Sequence, residues 1–310
     1  MGKKKPMSNA EIAEIVTASA IEALEAGTVP WQKPWNGYTD GPLSLTTGKA
    51  YRGWNNLWLG FVGQGKGYES QFWATFNTIS ARGGKVKKGE QGEFAIFYKT
   101  LNVEDKDQPT DDGGFVSKQI PLLRYFKVFN LDQTEGVEVP ERMKPKKLGR
   151  PVAVLKGVQA ALDAYIDGPE VIHRKGDRAF YTPDDDKITL PQRNQFKSSA
   201  FYAETLFHEL VHSTGHKSRL DRFKGNESFG CETYAKEELV AEMGAAMLAT
   251  RNNVKVDWDN TAAYLKSWLG ALKDDTQLLL RAATKANAAV DHIMGVEASQ
   301  DVSEESMQAA

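Results

Sequence analysis

The chain has 310 residues, of which 41% are hydrophobic and 26% are charged. This length exceeds that at which one core is usual, so we expect two modest domains in a globular protein rather than a disordered, collagen-like or coiled-coil chain. The net charge of -2 excludes a uniformly basic nucleic-acid binder, although it allows a local basic patch.

Cysteine content and apolar runs indicate the compartment. The single cysteine, Cys231, excludes an internal disulfide and any zinc site built from two or more cysteines, so a metal must be held by His, Asp or Glu. No apolar run approaches the roughly 18 to 20 residues needed to span a bilayer, and residues 1–26 lack the pattern of a signal peptide. We therefore expect a cytoplasmic protein with no membrane partner.

The first half is predicted to be a small α+β domain over residues 7–131. Ser8 and Glu11 have the spacing of a capping box and precede an amphipathic helix. Short apolar runs at 93–98 and 124–129 are typical of strands. Between those two runs, residues 102–114 are rich in Asp, Lys and Gly and are predicted to form a long exposed hairpin loop or an insertion.

The second half is predicted to be mostly helical with a small sheet. Glycine and proline interrupt residues 132–151, which we assign to an interdomain linker. Apolar periodicity then predicts helices at 152–165, 199–214, 233–250, 260–272 and 275–294, and a strand at 187–191. Residues 152–296 thus form the second domain, and the acidic, polar residues 297–310 are predicted to be a disordered tail. The predicted fold class is α+β.

Three of the five histidines stand within nine residues, at 208, 212 and 216. Residues four apart share one helix face, so His208 and His212 can direct two imidazoles at one Zn²⁺ ion. Glu209 lies about 100° round the helix and can act as general base toward the water on the zinc. This zincin spacing predicts one zinc ion per chain and hydrolysis of a peptide bond. The alternatives are surface histidines without a metal, and a zinc site that is structural or inactive.

A third protein ligand is expected on a second helix. The metzincin pattern fails because it requires a histidine where this chain has Ser218. The helix around residues 234–244 resembles the gluzincin Glu-x-x-x-Asp helix, and this resemblance implies that Glu238 is the third ligand. It also implies that Glu242 orients a zinc-binding histidine. Glu237 is the rival ligand, because helix rotation cannot be read from sequence.

Two further residues are candidates for steadying the transition state. His216 could do so, or it could cap the helix end or hydrogen-bond a substrate. Tyr234 is a candidate donor to an oxyanion. A metal-dependent nuclease is a weaker alternative, because two-metal nuclease sites prefer clustered carboxylates.

Aromatic and basic residues are interleaved in the first quarter of the chain. Five of the seven tryptophans fall there, at 31, 35, 54, 58 and 73. The residues that we single out for DNA binding are Trp31, Lys33, Trp35, Arg52, Trp54, Trp73, Lys85, Lys87 and Lys88. Aromatic faces that stack on unpaired bases, beside cations that meet phosphates, are what single-strand binding requires. The alternatives are that the tryptophans pack in a core and that the lysines form a solvated turn.

Both halves resemble one known family, the plasmid-associated antirestriction proteins of the ArdC type. In the first domain the resemblance rests on Tyr51-Arg52-Gly53-Trp54-Asn55 and on residues 29–31, 34–36, 73–76, 83–89 and 128–130; in the second it rests on residues 208–216, 218–222, 229–230 and 234–242. It implies a single-stranded-DNA-binding domain, in which Tyr51 and Asn55 also bind DNA, and a zincin-like metallopeptidase domain.

The resemblance also implies a biological role. Such a protein protects plasmid DNA, which enters a bacterial host cell as a single strand during conjugation, from restriction. A host restriction subunit is the candidate protein substrate, and the strand at Ile188 to Leu190 is predicted to offer its edge to an extended peptide. The competing hypothesis is a protein that coats the strand and blocks restriction enzymes sterically, with a zinc domain that is structural or inactive.

Overall fold

The computed structural model describes residues 7–26, 29, 41–109, 115–143, 154–223, 232–252, 254 and 261–296. The predicted tail at 297–310 and three of the predicted DNA-binding residues, Trp31, Lys33 and Trp35, lie outside these ranges. None of the helices within them combines the length and the apolar character needed to cross a membrane.

Three helices belong to the N-terminal part: α1 (Asn9–Glu25), α2 (Gly53–Gly65) and α3 (Phe76–Ala81). The predicted capping box at the start of α1 is confirmed, since Ser8 Oγ accepts from the Glu11 N–H and the Ser8 N–H donates to Glu11 Oε2 at 2.7 Å. Helix α2 was not predicted, because its four glycines disfavour a helix locally. Burial of Trp54, Leu57 and Trp58 stabilises it instead.

A four-stranded sheet forms the centre of this part, in the order β1-β2-β5-β4. Its strands are β1 (Leu43–Ser44), β2 (Phe72–Thr75), β4 (Glu93–Pro109) and β5 (Phe115–Asn130). The strands predicted at 93–98 and 124–129 are confirmed as parts of a long antiparallel hairpin. The prediction of a loop at 102–114 is wrong for residues 102–109, where β4 continues. Pairing of these residues with β5 outweighs their polar composition.

A second, two-stranded sheet pairs β3 (Lys85–Val86) with β6 (Thr134–Glu135). Strand β6 falls inside the segment predicted to be the interdomain linker. The first residues of that segment are thus built into the N-terminal part. A short 3₁₀ turn, Glu141–Met143, follows, and residues 144–153 lie outside the described ranges.

The C-terminal part contains a three-stranded sheet in the order β7-β9-β8. Its strands are β7 (Glu170–Arg174), β8 (Phe180–Thr182) and β9 (Lys187–Pro191). The strand predicted at 187–191 is confirmed as β9. The prediction that it offers an edge to a peptide is wrong, because β9 is central and pairs with β7 on one side and β8 on the other.

The described residues of this part also form five helices: α4 (Val154–Ala164), α5 (Ser199–Ser213), α6 (Glu232–Arg251), α7 (Thr261–Asp274) and α8 (Leu278–Ile293). All five were predicted, with ends that differ by a few residues. Helix α5 contacts β8 and β9 of the sheet. Helix α6 packs against both α5 and α8. One hydrophobic cluster includes side chains of α1 and α2 as well as of α5, α6 and α8, so the two halves share a core.

A buried ionic group joins the halves around Asp291 of α8, whose side chain is 5% exposed. Arg52, which precedes α2, forms an ion pair with Asp291, and Arg251 Nη2 lies 2.9 Å from its Oδ1. Asn287 Nδ2 donates to Asp291 Oδ2 at 2.8 Å, and Asn287 Oδ1 accepts from the N–H of Gly53 at 3.1 Å. Arg52, predicted to meet DNA, is therefore engaged in holding the two halves together.

We expect Asp291→Ala to lower the free energy of unfolding by about 2–3 kcal/mol, because it removes the buried carboxylate that pairs with the half-buried arginines Arg52 and Arg251 and accepts from Asn287. Urea denaturation at fixed metal content measures the change. Glu25→Ala is the matched control, since Glu25 pairs with Lys273, both side chains are more than half exposed, and its loss should cost no more than about 1 kcal/mol. Equal destabilisation by the two variants would contradict a special role for Asp291.

Candidate metal centre

Helix α5 presents the two zincin histidines toward α6. Ser198 caps its N-terminus by accepting from the Phe201 N–H at 3.3 Å. Leu206, Phe207 and Leu210 are fully buried and fix the rotation of α5 in the core. Since α5 and α6 pack together, the remaining face of α5 meets the acidic face of α6.

Three side chains converge where these helices meet. The Nε2 atoms of His208 and His212 lie 3.0 Å apart. Glu238 Oε2 lies 3.4 Å from His208 Nε2, and Glu238 Oε1 lies 3.3 Å from His212 Nε2. Four tetrahedral ligands about 2.0–2.1 Å from a zinc ion are roughly 3.3 Å from one another. The donor set and its spacing therefore fit a divalent metal ion.

The structure distinguishes the two candidate glutamates of α6. Glu238 turns into the cluster, and its side chain is only 3% exposed. Glu237 instead accepts from Arg222, with Nη2 to Oε1 at 2.6 Å and Nε to Oε2 at 3.2 Å. Its Oε1 also lies 3.6 Å from His212 Nδ1, the ring nitrogen away from the cluster. Glu237 thus occupies the position of a group that orients a ligand.

Glu242 and Glu209 complete the surroundings of the cluster. Glu242 Oε1 lies 3.6 Å from His208 Nδ1, again on the side away from the cluster. Carboxylates at that nitrogen fix the ring and raise its basicity as a ligand. Glu209 follows His208 on α5 and is 7% exposed, so it has little access to bulk water, and its charge helps to raise the pKa of His212.

The charges of the cluster are strongly coupled. Burial lowers the pKa of His212, but hydrogen bonds to Glu237 and Glu238 outweigh it and raise that pKa to about 10. Burial raises the pKa of Glu238, but hydrogen bonds to His208 and His212 outweigh it and hold that pKa far below its usual value. A metal ion must therefore displace protons from the imidazoles, which couples metal binding to proton release.

His216 and Tyr234 are placed differently from each other. The Ser218 N–H donates to His216 Nδ1 at 3.2 Å, and Ser218 Oγ lies 2.7 Å from the same nitrogen. This ring is hydrogen-bonded within the turn after α5 and is not part of the three-residue cluster, and the roles predicted for it stay predictions. Tyr234 is half-buried and lies one turn before Glu238 on α6.

Most of the aromatic residues predicted to stack on bases are core residues. Tyr51, Trp54 and Trp73 are 8%, 4% and 2% exposed. Asn55 is also buried and clamps the backbone of Ile96, donating to its carbonyl at 2.6 Å and accepting from its N–H at 2.8 Å. For the three aromatic residues the structure supports the core alternative, because a buried ring offers no face to a base, and the amide of Asn55 is engaged within the protein.

The predicted basic turn is exposed. Lys85 Nζ lies 3.1 Å from Glu135, and Lys87 Nζ donates to the carbonyl of Asp132 at 2.7 Å. Lys88 is exposed in the same turn. Phe76, at the start of α3, is an aromatic residue with 56% exposure that was not predicted to bind DNA. The sequence signal that could have indicated this position is Thr75, a typical N-cap residue, which places Phe76 in the first turn of a helix.

Comparison with known proteins accounts for both halves. Residues 10–129 match the family model for the N-terminal domain of anti-restriction factor ArdC. Residues 160–285 match the model for a zincin-like metallopeptidase.

Two solved structures and one curated relative are similar over nearly all of the chain. The metal-free crystal structure of antirestriction protein ArdC from the R388 plasmid is 38% identical, with a TM-score of 0.71, and the match covers 96% of this chain and 98% of that one. Its Mn(II)-bound structure is 37% identical, with a TM-score of 0.73 and coverage of 92% and 97%. DNA primase TraC of Escherichia coli is 37% identical over 97% of this chain, which spans only 20% of the relative's length.

Proposed function

The chain belongs to the ArdC antirestriction family, and we propose that it binds single-stranded DNA arriving by conjugation and protects it from host restriction in the bacterial cytoplasm. In this proposal residues 7–131 bind DNA, and residues 152–296 form a zinc peptidase. The convergence of His208, His212 and Glu238 beside buried Glu209 supports the peptidase assignment. A host restriction subunit is the proposed protein substrate.

His208, His212 and Glu238 would hold the ion, and zinc bound there would supply a Lewis acid next to the scissile carbonyl. Glu209 accepts the proton of the attacking water and later donates it to the leaving amine. Glu242 and Glu237 keep the two imidazoles oriented through their outer nitrogens. Tyr234 is proposed to donate a hydrogen bond to the developing oxyanion.

Strand β8 is the proposed docking edge for the peptide substrate. It lies at one side of its sheet, with β9 as its neighbour among the described strands. Both β8 and β9 contact α5, the helix that carries the two histidines. An extended peptide added to β8 would therefore run close to the metal centre.

The DNA-binding surface is proposed to include Lys85, Lys87, Lys88 and Phe76, all exposed. Lysines meet phosphates, and an exposed ring can stack on an unpaired base. Trp31, Lys33 and Trp35 remain predictions. Holding the protein on the incoming strand would raise its local concentration near proteins that attack that strand.

We expect Phe76→Ala to weaken binding to an oligothymidine by about 1–3 kcal/mol, the usual contribution of one stacked base. Fluorescence anisotropy at fixed salt concentration measures it. Phe180→Ala is the matched control, because Phe180 is a similarly exposed ring, 45% accessible, on β8 of the other half. Unchanged affinity in the Phe76 variant would remove Phe76 from the proposed surface.

The test of the whole function compares conjugation into a restricting recipient with conjugation into a restriction-deficient one. Wild-type protein should raise transfer into the restricting recipient only. If Glu209→Gln abolishes that protection while DNA binding persists, protection depends on proteolysis. Full protection by the variant would favour the steric alternative, in which the metal domain is structural or inactive.

A further inference from the structure

We propose that the peptidase domain has a phosphate-binding cavity on the outer side of the metal centre, where α6 and α8 meet. The cavity has a volume of about 200 Å³, and its charged lining residues are Arg222, Lys236, Glu237, Arg281 and Lys285. We call it the phosphate cavity. The inference rests on the proposed single-strand binding for its choice of DNA as the source of the phosphate.

The size of the phosphate cavity suits one small ionic group. Pockets for drug-sized ligands usually have volumes of about 300–1,000 Å³. A cavity of about 200 Å³ is smaller than that range and is too confined for a whole nucleotide. A single phosphate group whose remaining chain lies outside is the occupant that this volume favours.

The charge of the lining favours an anion. The lining carries four cationic side chains and one carboxylate, Glu237, which pairs with Arg222; the cations come from the segment after α5, from α6 and from α8, and they still exceed the carboxylates when Asp275 is counted. Arg281 and Lys285 are one turn apart on α8, so both project toward the same side of that helix. Asp275, outside the lining, pairs with Arg281. Arginine and lysine together are the usual protein groups for phosphate.

The position of the cavity connects it to both proposed activities. Arg222, which is 5% exposed, binds Glu237, and Glu237 lies 3.6 Å from the outer nitrogen of His212. On the other side, Asn287 of α8 accepts from the N–H of Gly53 in the N-terminal part. Helix α8 therefore both lines the phosphate cavity and contacts the N-terminal part, and the proposal places a phosphate of the bound strand next to the residues that orient a metal ligand.

The experiment measures oligothymidine binding to the metal-loaded full chain by anisotropy over a range of salt concentrations. The cavity variant is Lys285→Gln/Arg281→Gln. The matched control is Lys175→Gln/Arg178→Gln, which removes the same two charges from the exposed segment between β7 and β8. A parallel arm follows thermal unfolding in sodium phosphate against sodium chloride of equal ionic strength.

We expect the cavity variant to bind about three- to tenfold more weakly, with a salt slope smaller by about 0.7, the value for one phosphate contact on a single strand. The control variant should match wild type. Stabilisation by free phosphate that only the cavity variant loses, with DNA affinity unchanged, would keep the phosphate site but reject DNA as its source.

Two results overturn the proposal or separate it from the function above. If the cavity variant and the control behave alike in both arms, the phosphate cavity is not a phosphate-binding site. In that case, an oligoglutamate peptide that binds wild type but not the cavity variant would assign the surface to an acidic protein partner. If wild-type protein binds no single strand at all, the proposed function fails, and the phosphate arm alone decides this inference.

Discussion

Glu209→Gln is expected to lower peptide cleavage by about 10²–10⁴-fold, the usual contribution of a positioned general acid–base group. Glutamine keeps the shape of the side chain but cannot accept a proton from water. Because Glu209 is outside the three-residue cluster of His208, His212 and Glu238, metal binding should be retained. Single-strand binding should also be retained, since it is proposed for the other domain.

The assay incubates purified, zinc-loaded protein with candidate restriction subunits and with a second copy of itself, with and without single-stranded DNA. Metal content is measured first for both proteins. Glu170→Gln, which changes an exposed carboxylate paired with Lys187, is the control for the substitution itself. A Glu209 variant that has lost its zinc would mean that Glu209 is a ligand rather than the base. Equal cleavage by variant and wild type would show that this site does not perform the hydrolysis.

Glu238→Gln is expected to weaken zinc binding by more than about 100-fold, beyond the 10–100-fold that is usual for residues that only orient a ligand. The substitution removes the anionic member of a cluster whose other two members are neutral imidazoles when they bind metal. Glu237→Gln is the matched variant on the neighbouring residue. We expect it to fall within the 10–100-fold range, because Glu237 contacts the outer nitrogen of His212 and Arg222.

Competition titration with a chromophoric chelator, at one pH for all variants, measures both affinities. Circular dichroism establishes that each variant remains folded. The assignment of ligands requires the Glu238 variant to lose more affinity than the Glu237 variant. The reverse order would make Glu237 the ligand and would require α6 to be rotated about its axis so that Glu237 faces the histidines.

Local patterns predicted a large part of the fold. Ser8 and Glu11 identified the start of α1, and alternation at 187–191 identified β9, because capping and alternation act over a few residues. The spacing of His208 and His212 identified a pair of ligands for the same reason, since positions four apart on a helix always share a face.

The contacts between side chains that are distant in the sequence could be read only from the tertiary structure. Glu238 rather than Glu237 faces the histidines because packing of α6 against α5 and α8 sets its rotation. Arg52 meets Asp291, 239 positions away, instead of a DNA phosphate.

The same division holds for the aromatic residues and for β9. A tryptophan that packs in a core and one that stacks on a base look the same in a sequence. The low exposure of Trp54 and Trp73 in the structure identified them as core residues. Strand β9 was recognisable from its own residues, but its central position depends on pairing with β7 and β8. Helix α1, the five helices of the C-terminal part, β9 and the spacing of the metal-binding motif could thus be predicted from local residues, because they follow from short-range backbone geometry, whereas α2 and the full length of β4 could not. Which side chains those elements turn toward one another depended instead on packing between residues far apart in the chain, and it could be read only from the structure.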